Sequence, residues 1–494
     1  MDSFCFCGSP SSRKRVGFDV MSVPTTNRSR CQNLLRVAWP LIINSGSFAL
    51  LNFFDRLFLS WYSEASFCAS LPGGILFFTF VCGFMALAGI TNTFVAQLAG
   101  REDNEGAATA TAQGIFFALL AIPIILLLEP VGVGVLRLVG HAPEVLKLEE
   151  EYMRILLFGG GGMVLSSAIS SFFSGQGQTR VVMGCNVLAN GINIFMNYLF
   201  VFGCWGLPEM GIAGAAWASV IGSWSAPIFL GAIYFNRRHR HTFGTLRNLR
   251  FDRVLFRRML RFGLPSGFHF FTEVAAFTVF VLLIGRLGDL AHFAGNIALS
   301  INLIAFMPMI GMGIAASILV GQCIGRDDTA EATRYGWTAL QIGLAYIGII
   351  GTTFIMIPDL YLAIFSEEAG SFDSAALRDT VRYLLIILAV WGWPDAASLI
   401  LSGALKGAGD THFVMRYQAI IAWGIFVPGQ LILIVGYEAN HLLCWGWALL
   451  YIGLLGGGYT WRFATGKWKE IDLLDRKLSV KQVPLGTSVD VDTV

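Results

Sequence analysis

Twelve runs of about twenty apolar residues, divided by short polar or Gly/Pro-rich breaks, constrain this chain more than any other feature. A bilayer's hydrocarbon core is ~30 Å thick and takes about 20 helical residues to cross, so each run is read as a membrane helix. The first six lie near residues 36–61, 69–98, 107–130, 152–174, 183–203 and 211–235. The second six lie near 262–287, 292–322, 334–358, 378–406, 413–436 and 441–463. With 55% of residues hydrophobic and only 13% charged, the chain is expected to be an all-α integral membrane protein.

Orientation follows from the basic residues, because Lys and Arg near helix ends stay on the cytoplasmic side. The break after the sixth helix carries nine arginines between Arg237 and Arg261. In a twelve-helix count, Arg101, Arg180, Arg326 and Lys406 fall in turns on that same side. So do both termini, with Lys467, Lys469, Arg476 and Lys477; residues 1–30 lack a signal peptide's apolar core. The opposite turns are acidic, with Glu149, Glu150 and Glu151 on one and Asp359, Glu367, Glu368 and Asp373 on another. The net charge of +2 is thus topological, and no nucleic-acid partner is expected. Nine cysteines without a CxxC pair read as inert or structural thiols.

The chain also repeats itself. RVAWP (36–40) matches RFGLP (261–265), and VAQLAGRED (95–103) matches VGQCIGRDD (320–328). Pro40 and Pro265, Gln97 and Gln322, Gly100 and Gly325, and Arg101 and Arg326 therefore share one shift. SFFSGQGQT (171–179) pairs with GALKGAGDT (403–411) at a slightly larger one. Six crossings return the chain to its starting side, so two six-helix halves run parallel, related by an axis along the membrane normal. The expected division is a cytoplasmic tail (1–32), an amino-terminal lobe (33–235), a basic linker (236–261), a carboxy-terminal lobe (262–463) and a second cytoplasmic tail (464–494).

Polar residues inside the helices should face the cleft between such lobes. Asn186, Asn190, Asn193 and Asn197 are spaced 4, 3 and 4, which stacks four amides on one helix face. They either bind helices together or line an ion or substrate site. Asp55, Glu273 and Asp395 lie within predicted crossings among apolar and aromatic neighbours. A charge at a helix centre costs roughly 2.5–3.5 kcal/mol, which makes all three functional candidates. Asp55 could instead form an interfacial pair with Arg56. His269, one turn before Glu273, could pass protons to it or simply bond a neighbour.

These residues, in this order, resemble the multidrug and toxic compound extrusion (MATE) family, closest to its bacterial NorM-type branch, over essentially all twelve helices. The Pro40 to Asp55 spacing, VAQLAG, GQGQT, NIFMNYLFVFGCWGLPEMGIAGAA (193–216), LPSGFHFFTEVAAF (264–277) and the step from Asp395 to Lys406 carry the resemblance. It implies a MATE-like, V-shaped bundle of two lobes. Asp55 resembles the amino-terminal lobe's acid for a proton or sodium, with Asn193 and Asn197 beside it, Asn190 near by and Ser219 supplying a hydroxyl. Glu273 and Asp395 resemble the acid pair of the other lobe, where a sodium ion could bind. Two departures bear on the ion: Trp391 replaces the tyrosine usual one turn before Asp395 and can only donate, and Arg56 replaces a small residue.

The expected function is secondary active antiport, exporting amphipathic organic cations in exchange for Na+ or H+ by alternating access. Aromatic residues near the acids, Phe53, Phe54, Phe270, Phe271, Phe277, Trp391 and Trp393, could hold such cations. Two alternatives stand beside it. A flippase for lipid-linked oligosaccharides would need bases deep in the cleft, and a cation channel would build its ring from copies of one acid. No enzyme constellation appears, and no cofactor is expected beyond the coupling ion. The chain is expected to be a monomer in the lipid bilayer, in the cell (inner) membrane if bacterial, with both termini cytoplasmic.

Overall fold

The computed structural model describes residues 26–139, 143–284, 287, 289–363, 374–437 and 440–474. Among the described residues, twelve helices are long and apolar enough to cross a membrane. They are α1 (Asn27–Tyr62), α2 (Glu64–Gly100), α3 (Asn104–Leu127), α4 (Pro143–Gly175), α5 (Thr179–Phe202) and α6 (Gly211–Tyr234) in the first half. The second half holds α7 (Arg253–Val281), α8 (Phe293–Gly325), α9 (Thr329–Met356), α10 (Ala376–Ala408), α11 (Thr411–Gly436) and α12 (His441–Thr465). All twelve overlap the runs read from the sequence, and most ends fall within several residues of them, while α1, α4 and α7 begin nine residues earlier.

Local chemistry sets the ends. Thr26 and Ser29 form a capping box at the start of α1. The turns closing α2 and α8 repeat each other in detail. Glu102 and Asp327 take the left-handed conformation, at φ 58° and 61°. The next residues, Asp103 and Asp328, then cap α3 and α9 by accepting from Gly106 N and Glu331 N, each at 2.8 Å. The sequence repeat is thus also a repeat of backbone shape.

Some segment boundaries differ from expectation. Residues 27–32 belong to α1, because Arg30 is drawn into a buried ion pair with Glu331 of α9 at 2.5 Å. Residues 253–261 of the basic linker are the first turns of α7, while Arg237–Phe243 forms a short helix of its own. Between them the linker is tied to α3, where Gln113 donates to Arg250 O and accepts from Asp252 N. Residues 464–474 fold back beneath the bundle, with Trp468 and Leu473 fully buried. Glu149, Glu150 and Glu151 lie within α4, not in a turn, and Glu150 pairs with Arg137 and Arg154. Glu367, Glu368, Asp373, Arg476 and Lys477 lie outside the described residues.

The halves meet at the end that carries the basic turns. Backbones of α2 and α7 touch at Gly83 and Gly267, and α1 meets α8 at Ile42 and Gly311. The closest approach is reciprocal: Gly100 packs on the Gln322 carbonyl, and Gly325 packs on the Gln97 carbonyl. A side chain at either position would collide with backbone, so the contact requires glycine. The same glutamines fasten it, with Gln97 Nε2 donating to Gly407 O at 3.1 Å and Gln322 Nε2 donating to Gly175 O at 2.8 Å. Beyond these contacts the halves diverge, and Phe48, Phe53, Phe277, Leu303 and Ile304 are exposed on α1, α7 and α8. The result is a V whose cleft opens away from the basic turns.

Arg30 and Glu331 tie α1 to the second half, and both side chains are more than nine-tenths buried. Arg30→Met is expected to lower the unfolding free energy by roughly 2 kcal/mol, because it leaves the buried Glu331 carboxylate with only the exposed Arg334, 3.3 Å from its Oε2, as a charged partner. Adding Glu331→Met should recover most of that loss. Thermal unfolding in detergent checks both variants, and an additive double variant would show that the pair does not interact.

Candidate functional site

Asp55 sits on the outer half of α1, 8% exposed. Its Oδ1 accepts a hydrogen bond from Asn197 Nδ2 of α5, and its Oδ2 accepts from Ser219 Oγ of α6 at 3.4 Å. Ser219 Oγ in turn accepts from Asn193 Nδ2 at 3.2 Å. Arg56 points outward and is exposed, while Tyr152 of α4 is buried within electrostatic reach of Asp55. Asn193 and Asn197 are essentially fully buried, yet the amide oxygen of each has no hydrogen-bond partner among the described residues. Orphaned buried oxygens are costly, and here two of them lie beside a carboxylate and a hydroxyl. The donor set is all oxygen and carries one negative charge, which suits a hard cation or a proton.

The other two asparagines serve differently. Asn186 Nδ2 donates to Asn44 Oδ1 and Asn190 Nδ2 donates to Ser47 Oγ, both at 2.7 Å. They fasten α5 to α1 beneath the pocket. The amide stripe therefore divides: two residues fasten α5 to α1, and two lie beside Asp55 and Ser219. Asn190, expected near the ion, bonds Ser47 rather than the acid.

The second half holds another cluster. Glu273 is partly exposed on α7, and His269, one turn earlier, is buried with Nδ1 3.8 Å from Glu273 Oε2. Lys406 of α10 reaches the same nitrogen, with Nζ 3.3 Å from His269 Nδ1. Asp395 lies three turns before Lys406 on α10, one turn after the buried Trp391 and within electrostatic reach of Glu273. Below the acids, Gln418 Nε2 donates to Tyr451 Oη at 2.9 Å, and Tyr459 Oη donates to Gln418 Oε1 at 3.1 Å. Both tyrosines feel the Glu273 charge. Unlike the Asp55 pocket, this cluster brings basic nitrogens, those of His269 and Lys406, toward its carboxylate.

Among the aromatic candidates, Phe53, Phe271, Phe277 and Trp393 are exposed and Trp391 is buried. Phe270 packs edge-on against Phe78 across the two halves. Gln418, Tyr451 and Tyr459 carry no signal in the sequence, while Lys406, expected in a cytoplasmic turn, lies inside α10. One signal was available, since eleven residues are three helical turns, which puts Lys406 under Asp395 on one face. Gln97 and Gln322 were noticed only as markers of the repeat.

The MatE family model matches residues 40–199 and 265–432. The chain is 28% identical over 458 residues to a probable multidrug resistance protein NorM of Pseudomonas aeruginosa, covering 90% of each sequence. Its fold is similar to an outward-facing multidrug resistance MATE family transporter of the MOP superfamily, with TM-score 0.79, 20% identity and 89% and 97% of the two chains covered. It is also similar to a MOP superfamily transporter from Pyrococcus furiosus, with TM-score 0.80, 20% identity and 90% and 97% covered. That protein is described as having a binding pocket of reversed polarity that suggests a different function.

Proposed function

Because this chain belongs to the MatE family and is an integral membrane transporter, we propose that it exports amphipathic organic cations in exchange for Na+ or H+ by alternating access. The pocket around Asp55 carries this reading: a buried carboxylate beside two amide oxygens without partners among the described residues, on the outer side of a contact that closes the other end of the cleft. Glu273 and Asp395 supply negative charge to the second wall. A neighbour with reversed pocket polarity illustrates that the fold alone does not choose the substrate. Here three carboxylates outnumber Lys406, which favours cations over the pyrophosphate of a lipid-linked sugar.

The mechanism follows from competition. A proton, a sodium ion and an organic cation each satisfy a carboxylate, so loading one displaces another, and linkage makes the effect reciprocal. With the Gln97 and Gln322 contacts closed, the cleft opens outward; parting them opens it to the cytoplasm. The halves, the cleft and both acid sites lie in one chain, which supports function as a monomer, and the basic turns at the closed end support cytoplasmic termini. One proton exchanged for one monovalent cation moves no net charge, so each pH unit supplies about 1.4 kcal/mol, roughly tenfold accumulation.

The test is efflux of ethidium from proteoliposomes under a sodium gradient or a pH gradient, imposed separately. Export driven by one of them and stimulated by substrate on the far side is the expected result. Flux indifferent to both gradients would sink the antiport reading. In the same assay Asn190→Ala is expected to keep transport within about twofold while losing about 1 kcal/mol of stability. Asn197→Ala should cut ion-driven export about tenfold at similar stability cost; equal transport in the two variants would remove the distinction drawn between them.

A further inference from the structure

Lys406 belongs to two places at once. Its ammonium reaches the acid cluster of the second half, 3.3 Å from His269 Nδ1, and His269 stands 3.8 Å from Glu273. Its main chain lies in the contact between the halves: Lys406 O accepts from Thr93 Oγ1 at 3.3 Å, and the next carbonyl, Gly407 O, accepts from Gln97 Nε2 at 3.1 Å. Gly407 is also packed hard against the Ser317 backbone of α8, so this end of α10 has little room to shift without disturbing both contacts.

We infer that Lys406 is the residue through which the charge state of Glu273 is communicated to the closed cytoplasmic contact. The inference rests on the antiport reading. When Glu273 carries no cation, the tethered ammonium is its nearest positive charge. The attraction draws the side chain toward His269 and Glu273 and holds the last turn of α10 where its two carbonyls meet Thr93 and Gln97. A cation seated at Glu273, whether organic substrate, sodium or proton, removes that attraction and, if it keeps its own charge, repels the ammonium. The last turn is then free to move, and the two carbonyls lose their partners. An empty carrier therefore stays closed toward the cytoplasm and a loaded one can switch, which is what prevents futile leak in an exchanger. The mirror-related bond, from Gln322 to Gly175 O, has no lysine beside it: residue 174, which precedes Gly175 as Lys406 precedes Gly407, is Ser174, bonded to Asn92. The sensing is confined to the second half.

The test uses full-length protein in nanodiscs, with spin labels at Glu105→Cys and Ala330→Cys, two exposed positions flanking the contact, and the nine native cysteines replaced by serine. Ethidium is the probe, and its binding is followed separately by fluorescence. In the otherwise unaltered protein, ethidium should shift the ratio of separated to closed label distances by about tenfold, in the usual range of coupling between sites. Lys406→Met should bind ethidium yet show a ratio that no longer responds to it, and Lys406→Arg should restore the response. A lysine that merely packs would change stability but leave the response intact, so an undiminished shift in Lys406→Met overturns the inference. Should Lys406→Met fail to fold, Thr93→Val with Gln97→Leu removes the receiving side of the link, and the same loss of response is expected. Absence of ethidium binding in the unaltered protein overturns the antiport reading together with this inference. Binding with no distance response overturns the role of Lys406 alone.

Discussion

Asp55→Asn is expected to lower ion-driven export at least about tenfold while leaving the protein as stable as before, or slightly more so. Asp55 carries the negative charge of the first-half pocket, with Asn193, Asn197 and Ser219 contributing neutral groups. A charge in the middle of a membrane helix costs roughly 2.5–3.5 kcal/mol, so an isosteric neutral residue should relieve the fold. A carboxylate retained for packing would behave in the opposite way, because removing one partner of a buried polar cluster is normally destabilising. Transport and thermal unfolding measured on the same preparation therefore separate the two roles. Comparison with Glu273→Gln and Asp395→Asn, each under separate sodium and pH gradients, locates the coupling. Sodium-driven export lost only with Asp55→Asn assigns it to the oxygen-lined pocket. Loss with Glu273→Gln or Asp395→Asn assigns it to the second half. Undiminished export in the triple variant would falsify the assignment of all three acids.

The second large effect is expected at the contact between the halves. Gly325→Val would push a side chain against the Gln97 backbone, whose carbonyl carbon lies 2.8 Å from where the first added carbon must sit. Overpacking of this kind costs about 1–3 kcal/mol. The penalty applies only while the halves touch, so it acts on the equilibrium between the two open forms. At 1.4 kcal/mol per factor of ten, the closed cytoplasmic contact should lose about fivefold to a hundredfold in population. Distances between labels at positions 105 and 330 should lengthen without substrate, and export should fall because the outward-open form becomes scarce. Gly100→Val should act alike, since its added carbon meets the Gln322 carbonyl. Unchanged distances in both variants would mean that these glycines do not limit the approach of the halves.

Much of this molecule could be read before any coordinates. The length of the apolar runs fixes the number of helices, because the bilayer admits little variation in crossing length. The shared shift of 225 residues anticipated matching turns, with Glu102 and Asp327 in the same unusual conformation and Asp103 and Asp328 in the same capping role. Three acids stood out because charge in an apolar run has no cheap explanation. The four asparagines stood out because helical spacing puts them on one face, yet that spacing assigns no partners. Only packing against α1 and α6 separated Asn186 and Asn190, which fasten helices, from Asn193 and Asn197, which surround an acid.

Lys406 shows the same limit more sharply. A basic residue at a helix end beside a cytoplasmic turn has an adequate explanation in topology, and its eleven-residue step from Asp395 gives a shared helix face but names no partner. Its ammonium reaches the acid cluster because a long side chain can climb from its backbone toward a buried imidazole on a helix more than a hundred residues away in the chain. By itself the sequence determined what must hold along one dimension: the number of helices, the two repeats, and the helix faces that carry amides or acids. These follow from hydrophobic length, charge and the period of the helix. Tertiary structure alone decided which of those faces meet, that the repeated glutamines and glycines clasp each other across the halves, and that one lysine touches both the acid site and that clasp. Such pairings depend on how whole helices pack in space, which no local period encodes.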